Sequence, residues 1–196
     1  MYIFLIILIS IVGAAFGSFG SVLIYRLHNE EGGIFSGRSR CTECKTSLAS
    51  LDLVPIASYL ILRGHCRYCS KSISYMYPLL ELVMGALFAV MFVKFPFLNS
   101  LLQFSEVNLG LFLLYAFYSF VLVCTFFYDL KYRHVSDALL LPAICIGLIA
   151  TIATPLTPHI FDALLGAAIG IVFFGAQLLV SKGRWIGEGD LRVAAF

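Results

Sequence analysis

The sequence has little charge: Asp, Glu, Lys and Arg together make up 12% of its 196 residues. Soluble domains carry about a quarter of such residues, so a water-soluble globular fold is excluded as the main architecture. The first apolar run also lacks the basic segment that precedes the core of a cleavable signal peptide, and Arg26 follows that run. No G-x-G-x-x-G loop follows a strand pattern, so the residues themselves indicate no nucleotide-type cofactor site.

Long apolar runs are present instead, because 61% of the residues are hydrophobic. A helix needs about 20 apolar residues to cross a bilayer. We therefore predict an all-α polytopic membrane protein whose apolar surface faces lipid or neighbouring helices. The predicted transmembrane helices are five in number, at residues 2–25, 77–94, 109–128, 138–154 and 161–180.

Small residues recur every four positions in two of these runs. They are Gly13, Gly17 and Ser21 in the first run, and Gly166 and Gly170 in the last. Such a stripe allows two membrane helices to approach closely. We interpret both stripes as helix-packing faces rather than as parts of a binding site.

Lys and Arg are distributed unevenly over the connecting segments. Of the thirteen, twelve lie in one set of segments, and Lys94 alone lies in the other. Positively charged loops stay in the cytoplasm. The bias therefore predicts an N-terminus outside and three cytoplasmic segments, at residues 26–76, 129–137 and 181–196.

Four cysteines form two C-x2-C pairs that are separated by 21 residues: Cys41, Cys44, Cys66 and Cys69. Two such pairs present four thiolates in the tetrahedral arrangement that a structural Zn²⁺ requires. A segment as short as 27–76 also needs a staple in order to fold. Disulfides are the alternative, but they rarely persist in the cytoplasm, and no βαβ pattern supports a redox pair. We predict a small cytoplasmic zinc-binding domain.

Two aspartates are predicted to lie at the same membrane face. Asp129 ends the third apolar run, and Asp190 follows the fifth run within "GEGD". A single acid at a helix end is as well explained by solvation or by pairing with a nearby Lys or Arg. Two facing carboxylates instead share one proton, and such a pair can activate water and polarise a peptide carbonyl. Glycines beside Asp190 would let a loop approach a substrate backbone closely; Glu188 is assigned no catalytic role.

Four motifs in order resemble those of the type IV prepilin peptidases, which are membrane aspartyl proteases with a G-x-G-D signature. "FGSFGSVLIYRL" resembles the opening motif of the family, and the cysteine segment followed by "YPLLEL" resembles its cytoplasmic domain. "YDLKYRHVSD" and "IGEGDLR" resemble the two aspartate segments. Together the motifs extend over residues 16–194.

The resemblance implies a two-aspartate enzyme of the bacterial inner membrane. Asp129 and Asp190 would cleave the basic leader peptide from type IV prepilins or type II secretion pseudopilins at the cytoplasmic face. The family then methylates the new N-terminus with S-adenosylmethionine, a role associated with its N-terminal half, and we assign no residue to binding that cofactor. The alternatives are a peptidase without methylation, or a non-catalytic zinc-stabilised scaffold of pilus assembly.

The resemblance also divides the chain into three parts. A first transmembrane helix occupies residues 1–26, the cysteine domain 27–76 and the aspartyl peptidase domain 77–196. Because family members continue with further membrane helix after G-x-G-D, we expect the last part to be truncated. The expected partners are prepilin substrates and the lipid bilayer, and no nucleic acid; the oligomeric state is not predicted.

Overall fold

The computed structural model describes residues 2–29, 37–98, 103–153, 160–182, 184 and 187–195. Within these ranges the chain is helical, and its β-pairing consists of isolated bridges. The α-helices are α1 (Tyr2–His28), α2 (Ala57–Ile61), α3 (Met76–Lys94), α4 (Glu106–Tyr132), α5 (Asp137–Ala153), α6 (Ile160–Ser181) and α7 (Glu188–Ala195). A short 3-10 helix, Ser50–Leu53, precedes α2. The predicted all-α class is confirmed.

Helices α1, α3, α4 and α6 are each long and apolar enough to cross a membrane. The predicted span 138–154 corresponds to α5, which is apolar but has 17 residues. At 1.5 Å per residue α5 is about 25 Å long, less than the hydrocarbon core of about 30 Å. Residue 154, the predicted end of that span, lies outside the described residues, as do residues 30–36 of the predicted cysteine domain.

The first of two compact units, Met1–Phe127, is built on close packing of α1 against α3. A Cβ atom added at Gly13 would lie 2.6 Å from the Met84 carbonyl oxygen, and one added at Gly17 would lie 2.6 Å from the Glu81 Cα. The glycines thus bring the two helix backbones together, as the stripe of small residues predicted. Apolar side chains of α3 fill the rest of this interface: Leu80, Met84, Phe88 and Phe92.

The second unit, Tyr128–Phe196, contains the end of α4 and helices α5, α6 and α7. Helix α7 packs against α6, because a Cβ added at Gly170 would lie 2.7 Å from the Ala194 carbonyl oxygen. Gly166, the other member of the predicted stripe, has no such neighbour within 4 Å. Only one of the two α6 glycines is therefore required by packing in this unit.

Candidate functional site

Asp129 lies in the last turn of α4, and its residue is exposed. The helix ends at Tyr132, and the next residue, Arg133, has a left-handed φ of 58°. The Arg133 amide donates a 2.7 Å hydrogen bond to the Asp129 carbonyl oxygen. A left-handed residue with this hydrogen bond is a common way for a helix to end. Helix α4 therefore ends within one turn of Asp129.

The turn that follows, residues 133–136, is fastened to the last turn of α4 by His134. Its Nε2 atom lies 3.1 Å from the Tyr128 hydroxyl oxygen, and the two rings meet edge to face at 5.0 Å. The other ring nitrogen, Nδ1, lies 3.2 Å from the Tyr132 carbonyl oxygen. The segment after Asp129 is thus held in one conformation by an imidazole and an aromatic side chain.

Asp190 lies in the first turn of α7, on ordered helix rather than on the free glycine loop that the sequence suggested. Its Oδ2 atom accepts a 3.0 Å hydrogen bond from the Gly187 amide, and its own amide donates to the Gly187 carbonyl oxygen at 3.2 Å. An acid at the third helical position commonly caps a helix by binding the amide of the residue before it. The aspartate therefore fixes the start of its own helix.

Two contacts attach this helix start to the segment after Asp129. A Cβ added at Gly189 would lie 2.7 Å from Val135 Cγ2, so the α7 backbone lies directly on the Val135 side chain. One turn further along α7, Arg192 Nη1 lies 2.6 Å from Asp137 Oδ1. The Gly189 position therefore tolerates no side chain because the chain's own turn, rather than a substrate, occupies the space.

The structure places both predicted catalytic residues in the same unit and packs the Asp190 turn against the segment that follows Asp129. The carboxylates do not hydrogen-bond each other in the described part of the chain. The ion pairs Arg67–Asp52 and Arg192–Asp137, both between described residues, do not include Asp129.

The four predicted metal ligands form one cluster. The sulfur atoms of Cys41, Cys44, Cys66 and Cys69 all lie within 4.8 Å of one another. The Cys41 and Cys69 sulfurs are 3.9 Å apart, and the cysteines are free thiols rather than disulfides. Four sulfurs on a tetrahedral zinc at 2.3 Å would be separated by about 3.8 Å. The donor set and its spacing fit that ion.

The cluster is built from two equivalent turns, which we call the first knuckle (residues 40–47) and the second knuckle (residues 65–72). In each, the amide of the first cysteine donates to the carbonyl five residues later, at 3.0 Å and 2.8 Å respectively. The residue after the second cysteine is left-handed in both, with φ of 58° at Lys45 and 56° at Ser70. The end residues of each knuckle form an antiparallel bridge. The spacing revealed the cysteines but not this structural repeat.

Hydrogen bonds around the cluster affect its thiols unequally. Bonds from the Thr46 hydroxyl and amide lower the pKa of Cys44 to about 6. The Lys71 amide also lowers the pKa of Cys69. Burial and the three neighbouring cysteines outweigh this effect and raise the pKa of Cys69 to about 11. Four thiols this close cannot all ionise without a compensating cation. This electrostatic conflict is the one that a bound divalent metal resolves.

Asp52, which no sequence pattern singles out, stabilises the second knuckle. Its carboxylate accepts hydrogen bonds from Arg67 Nε at 2.7 Å, from the Tyr68 hydroxyl at 3.1 Å and from the Ala49 amide at 3.1 Å. Burial opposes the charged form, but these donors hold the pKa of Asp52 below its ordinary value. Arg67 and Tyr68 are the two residues between Cys66 and Cys69, so Asp52 orients the metal-binding turn from outside.

Two family models match the chain, one for each half. The model described as the bacterial peptidase A24 N-terminal domain matches residues 11–95, which include most of α1, the cysteine cluster and α3. The model described as the type IV leader peptidase family matches residues 115–196, which include both candidate aspartates. No solved structure gives a significant match.

Several curated proteins named prepilin leader peptidase/N-methyltransferase are similar to the chain. The Klebsiella pneumoniae protein is 32% identical over 93% of the chain and 79% of its own length. The Neisseria gonorrhoeae protein is 29% identical over 98% of the chain and 72% of its own length. The Bacillus subtilis protein is 30% identical over 83% of the chain, and the match covers 60% of that relative's own length.

Proposed function

Because the chain belongs to the type IV leader peptidase family, we propose that it cleaves the leader peptide from type IV prepilins or type II secretion pseudopilins. The family is one of multi-pass inner-membrane aspartic peptidases that also carry a methyltransferase function. The proposed substrates are inferred from the names of its relatives and from the chemistry of its own residues. Since the chain spans 60% to 79% of the relatives' lengths given above, the activity of the whole protein is part of the proposal.

One observation carries the peptidase role: the Asp190 helix start rests on the segment that follows Asp129. The Gly189–Val135 contact and the Arg192–Asp137 ion pair fasten it there. These contacts restrict the movement of Asp190 relative to the segment after Asp129, as a catalytic pair requires. This packing therefore favours Asp129 and Asp190 as a catalytic dyad over two unrelated surface acids.

In the proposed reaction the two carboxyl groups share the work of hydrolysis. The ionised member of the pair takes a proton from water, whose oxygen attacks the scissile carbonyl carbon, while the protonated member polarises the carbonyl oxygen. The carbon–nitrogen bond then breaks, and a proton from the dyad passes to the departing amine. The apparent pKa values of such a dyad belong to the pair and not to either residue.

The proposed orientation follows from the distribution of charge. With the N-terminus outside, the cysteine segment and both aspartates lie at the cytoplasmic face of the inner membrane. A basic prepilin leader stays on that side, and the apolar segment that follows it enters the lipid. The scissile bond would then be at the membrane surface, close to Asp129 in the last turn of α4.

We further propose that the cysteine cluster holds a structural zinc ion. The Cys₄ donor set and the sulfur spacing support that metal, which the thiolates would hold in closed tetrahedral coordination. The ion would keep the two knuckles together and would take no part in proteolysis. Metal analysis of the purified protein checks this: one zinc per chain is expected, and its loss on replacing Cys44 or Cys69 by Ser. A metal-free wild-type protein would contradict it.

Methylation of the new N-terminus with S-adenosylmethionine is proposed from the family alone. The described residues show no glycine-rich loop between a strand and a helix, so no residue of this chain is assigned to the methyl donor. Incubation of the full chain with a prepilin and methyl-labelled S-adenosylmethionine tests both activities at once. A shortened and labelled product is expected.

The other outcomes of that incubation identify the alternatives. A shortened but unlabelled product means that the protein is a peptidase without methylation. An intact prepilin, from a protein that is folded and metal-loaded, favours the non-catalytic scaffold and refutes the proposed function. The family resemblance implies cleavage after a glycine of the prepilin. A prepilin in which that glycine is changed to a bulky residue is therefore the matched control, and it should remain intact in all cases.

A further inference from the structure

The segment between the two knuckles exposes large apolar side chains. Leu60 is 67% exposed and Ile61 is 76% exposed, and both belong to the five-residue helix α2. Leu51, in the preceding 3-10 helix, is 73% exposed. Large apolar side chains that are exposed close together commonly mark a surface that meets a partner or a membrane. We call residues 51–61 the apolar segment.

Glu81 ties this segment to a membrane helix. Its Oε2 atom accepts a 2.7 Å hydrogen bond from the amide of Ile56, which is the residue directly before α2. Glu81 is only 8% exposed, and it is the sixth residue of α3. A buried carboxylate retains a partner because leaving it without one is costly. The contact therefore sets the position of Ile56 along α3.

Helix α1 keeps Glu81 from moving toward the water. A Cβ added at Gly17 would lie 2.6 Å from the Glu81 Cα, so the two helix backbones are in contact at this level. Glu81 is thus fixed between two membrane-spanning helices, and the Ile56 amide meets it there.

The backbone at Ile56 is consistent with a fixed anchoring point. Ile56 has a φ of 60° and a ψ of −48°, in a region that β-branched residues rarely occupy. Backbone strain of this kind persists only where the surrounding structure imposes it. The Glu81 hydrogen bond is a contact that imposes it.

The length of α3 indicates at what depth in the membrane the Glu81–Ile56 contact lies. The helix has 19 residues, about 28 Å, so it needs nearly its whole length to cross a hydrocarbon core of about 30 Å. Glu81 lies about 7 Å along the helix from Met76. Helical side chains lean toward the N-terminus, so the carboxylate lies between these two levels. The Ile56 amide is consequently at the level of the membrane interface.

We propose that the apolar segment lies in the membrane interface, with Leu60 and Ile61 inserted among lipid acyl chains. Helix α2 is only about 8 Å long, so neither side chain can be far from the Ile56 anchor. Arg63, which is exposed and follows two residues later, is placed to meet lipid phosphate groups. The apolar segment would thus act as a monotopic anchor that holds the knuckles flat on the bilayer. This inference depends on α1 and α3 spanning the membrane and not on the proposed enzymatic activity.

Fluorescence quenching tests the proposal in the full chain. The sequence has one Trp, so Trp185→Phe removes the background. In that background Ile61→Trp places a reporter in the apolar segment, and Glu43→Trp, in the first knuckle, is the matched control. In vesicles of phosphatidylcholine and phosphatidylglycerol, acyl-chain bromination should remove most of the emission of the Ile61→Trp protein and little of the control's, whereas aqueous iodide should do the reverse. Iodide quenching of Ile61→Trp as strong as that of the control would overturn the proposal. Quenching by neither agent would also overturn it, because a protein surface would then cover the segment.

The role of Glu81 is tested in the same Ile61→Trp protein. Glu81→Gln keeps a carbonyl oxygen that can accept the Ile56 hydrogen bond, so quenching by brominated lipid should be retained. Glu81→Leu has no acceptor, so lipid quenching should fall and iodide quenching should rise. Equal lipid quenching in both variants would show that Glu81 does not set the depth. Should Glu81→Leu fail to fold, the comparison of Ile61→Trp with Glu43→Trp still decides the proposal.

Discussion

Arg192 and Asp137 form an ion pair with a nitrogen–oxygen distance of 2.6 Å, and this pair connects the two aspartate segments. Arg192 lies two residues after Asp190, and Asp137 begins α5 just after the turn that follows Asp129. Both side chains are substantially exposed, 40% and 49%, so the pair contributes little to stability, about 1 kcal/mol or less. Its consequence is positional, because it fixes the orientation of the helix that carries Asp190.

Arg192→Gln should therefore impair catalysis more than folding. We expect prepilin cleavage to fall by about 10-fold or more, because small displacements of a catalytic group have large effects on rate. The unfolding free energy should change by no more than about 1 kcal/mol. Initial cleavage rates in detergent, together with thermal unfolding of the same preparations, measure both quantities.

Two further variants separate the ion pair from other effects of Arg192. Arg192→Lys keeps the charge and should retain most of the activity. Combining Arg192→Glu with Asp137→Lys reverses the pair and should recover activity that either single change removes. If the reversed pair is no more active than the single variants, the ion pair does not position Asp190.

The two glycines of the G-x-G-D motif should respond differently to a methyl group. In Gly189→Ala the added Cβ would lie 2.7 Å from Val135 Cγ2. Two carbon atoms cannot be that close, so α7 must move. We expect cleavage to fall by up to about 100-fold. Gly187→Ala is the matched control, because its nearest atom is 3.9 Å away, and it should retain activity. Equal rates for the two variants would refute the packing argument.

Asp52→Asn should weaken metal binding without removing a ligand. The neutral amide loses the charge that holds Arg67 and Tyr68 over the second knuckle. Residues that orient metal ligands from outside typically contribute about 10- to 100-fold to affinity. Metal should pass to a chromogenic chelator about 10- to 100-fold faster from Asp52→Asn than from the wild type. Glu43→Gln, an acid between the cysteines of the first knuckle, is the control and should leave the transfer rate unchanged.

Gly17→Ala should destabilise the first unit, because the added Cβ would overlap the backbone of α3. Overpacking of this kind costs about 1–3 kcal/mol, more than Ala gains over Gly from helix propensity. Gly166→Ala is the matched control in another membrane helix, and its Cβ would meet no atom within 4 Å. Thermal unfolding in detergent should show a lower midpoint for Gly17→Ala only. A lowered midpoint for both would mean that space at the helix contact is not the cause.

Sequence patterns that depend on a short period or a fixed spacing predicted much of this structure. The apolar runs located α1, α3, α4 and α6 to within a few residues, because membrane insertion selects helix length directly. The two C-x2-C pairs predicted the sulfur cluster for a similar reason, since metal ligation fixes the spacing of its donors.

Contacts between distant residues were not predictable in this way. The glycines around Asp190 suggested a flexible loop, whereas the structure forms α7 there, because the aspartate caps the helix and Val135 occupies the space beside Gly189. The partners Arg192–Asp137 and Glu81–Ile56 are separated by whole helices and turns, and no periodic pattern in the sequence connects them. The run 138–154 predicted the start of α5 to within one residue, but at 17 residues α5 is shorter than the four helices that are long enough to cross a membrane.

The central claim is that Asp129 and Asp190 act as one catalytic unit, and cleavage kinetics of their Asn variants test it most directly. Initial rates of prepilin cleavage should be measured for the wild type, for Asp129→Asn, for Asp190→Asn and for the double variant, with Glu188→Gln as the acid-neutralising control. We predict that each single variant loses about 10⁴-fold in rate, that the double variant loses no more, and that the control remains active. A single Asn variant that is folded and cleaves at the wild-type rate would contradict the account.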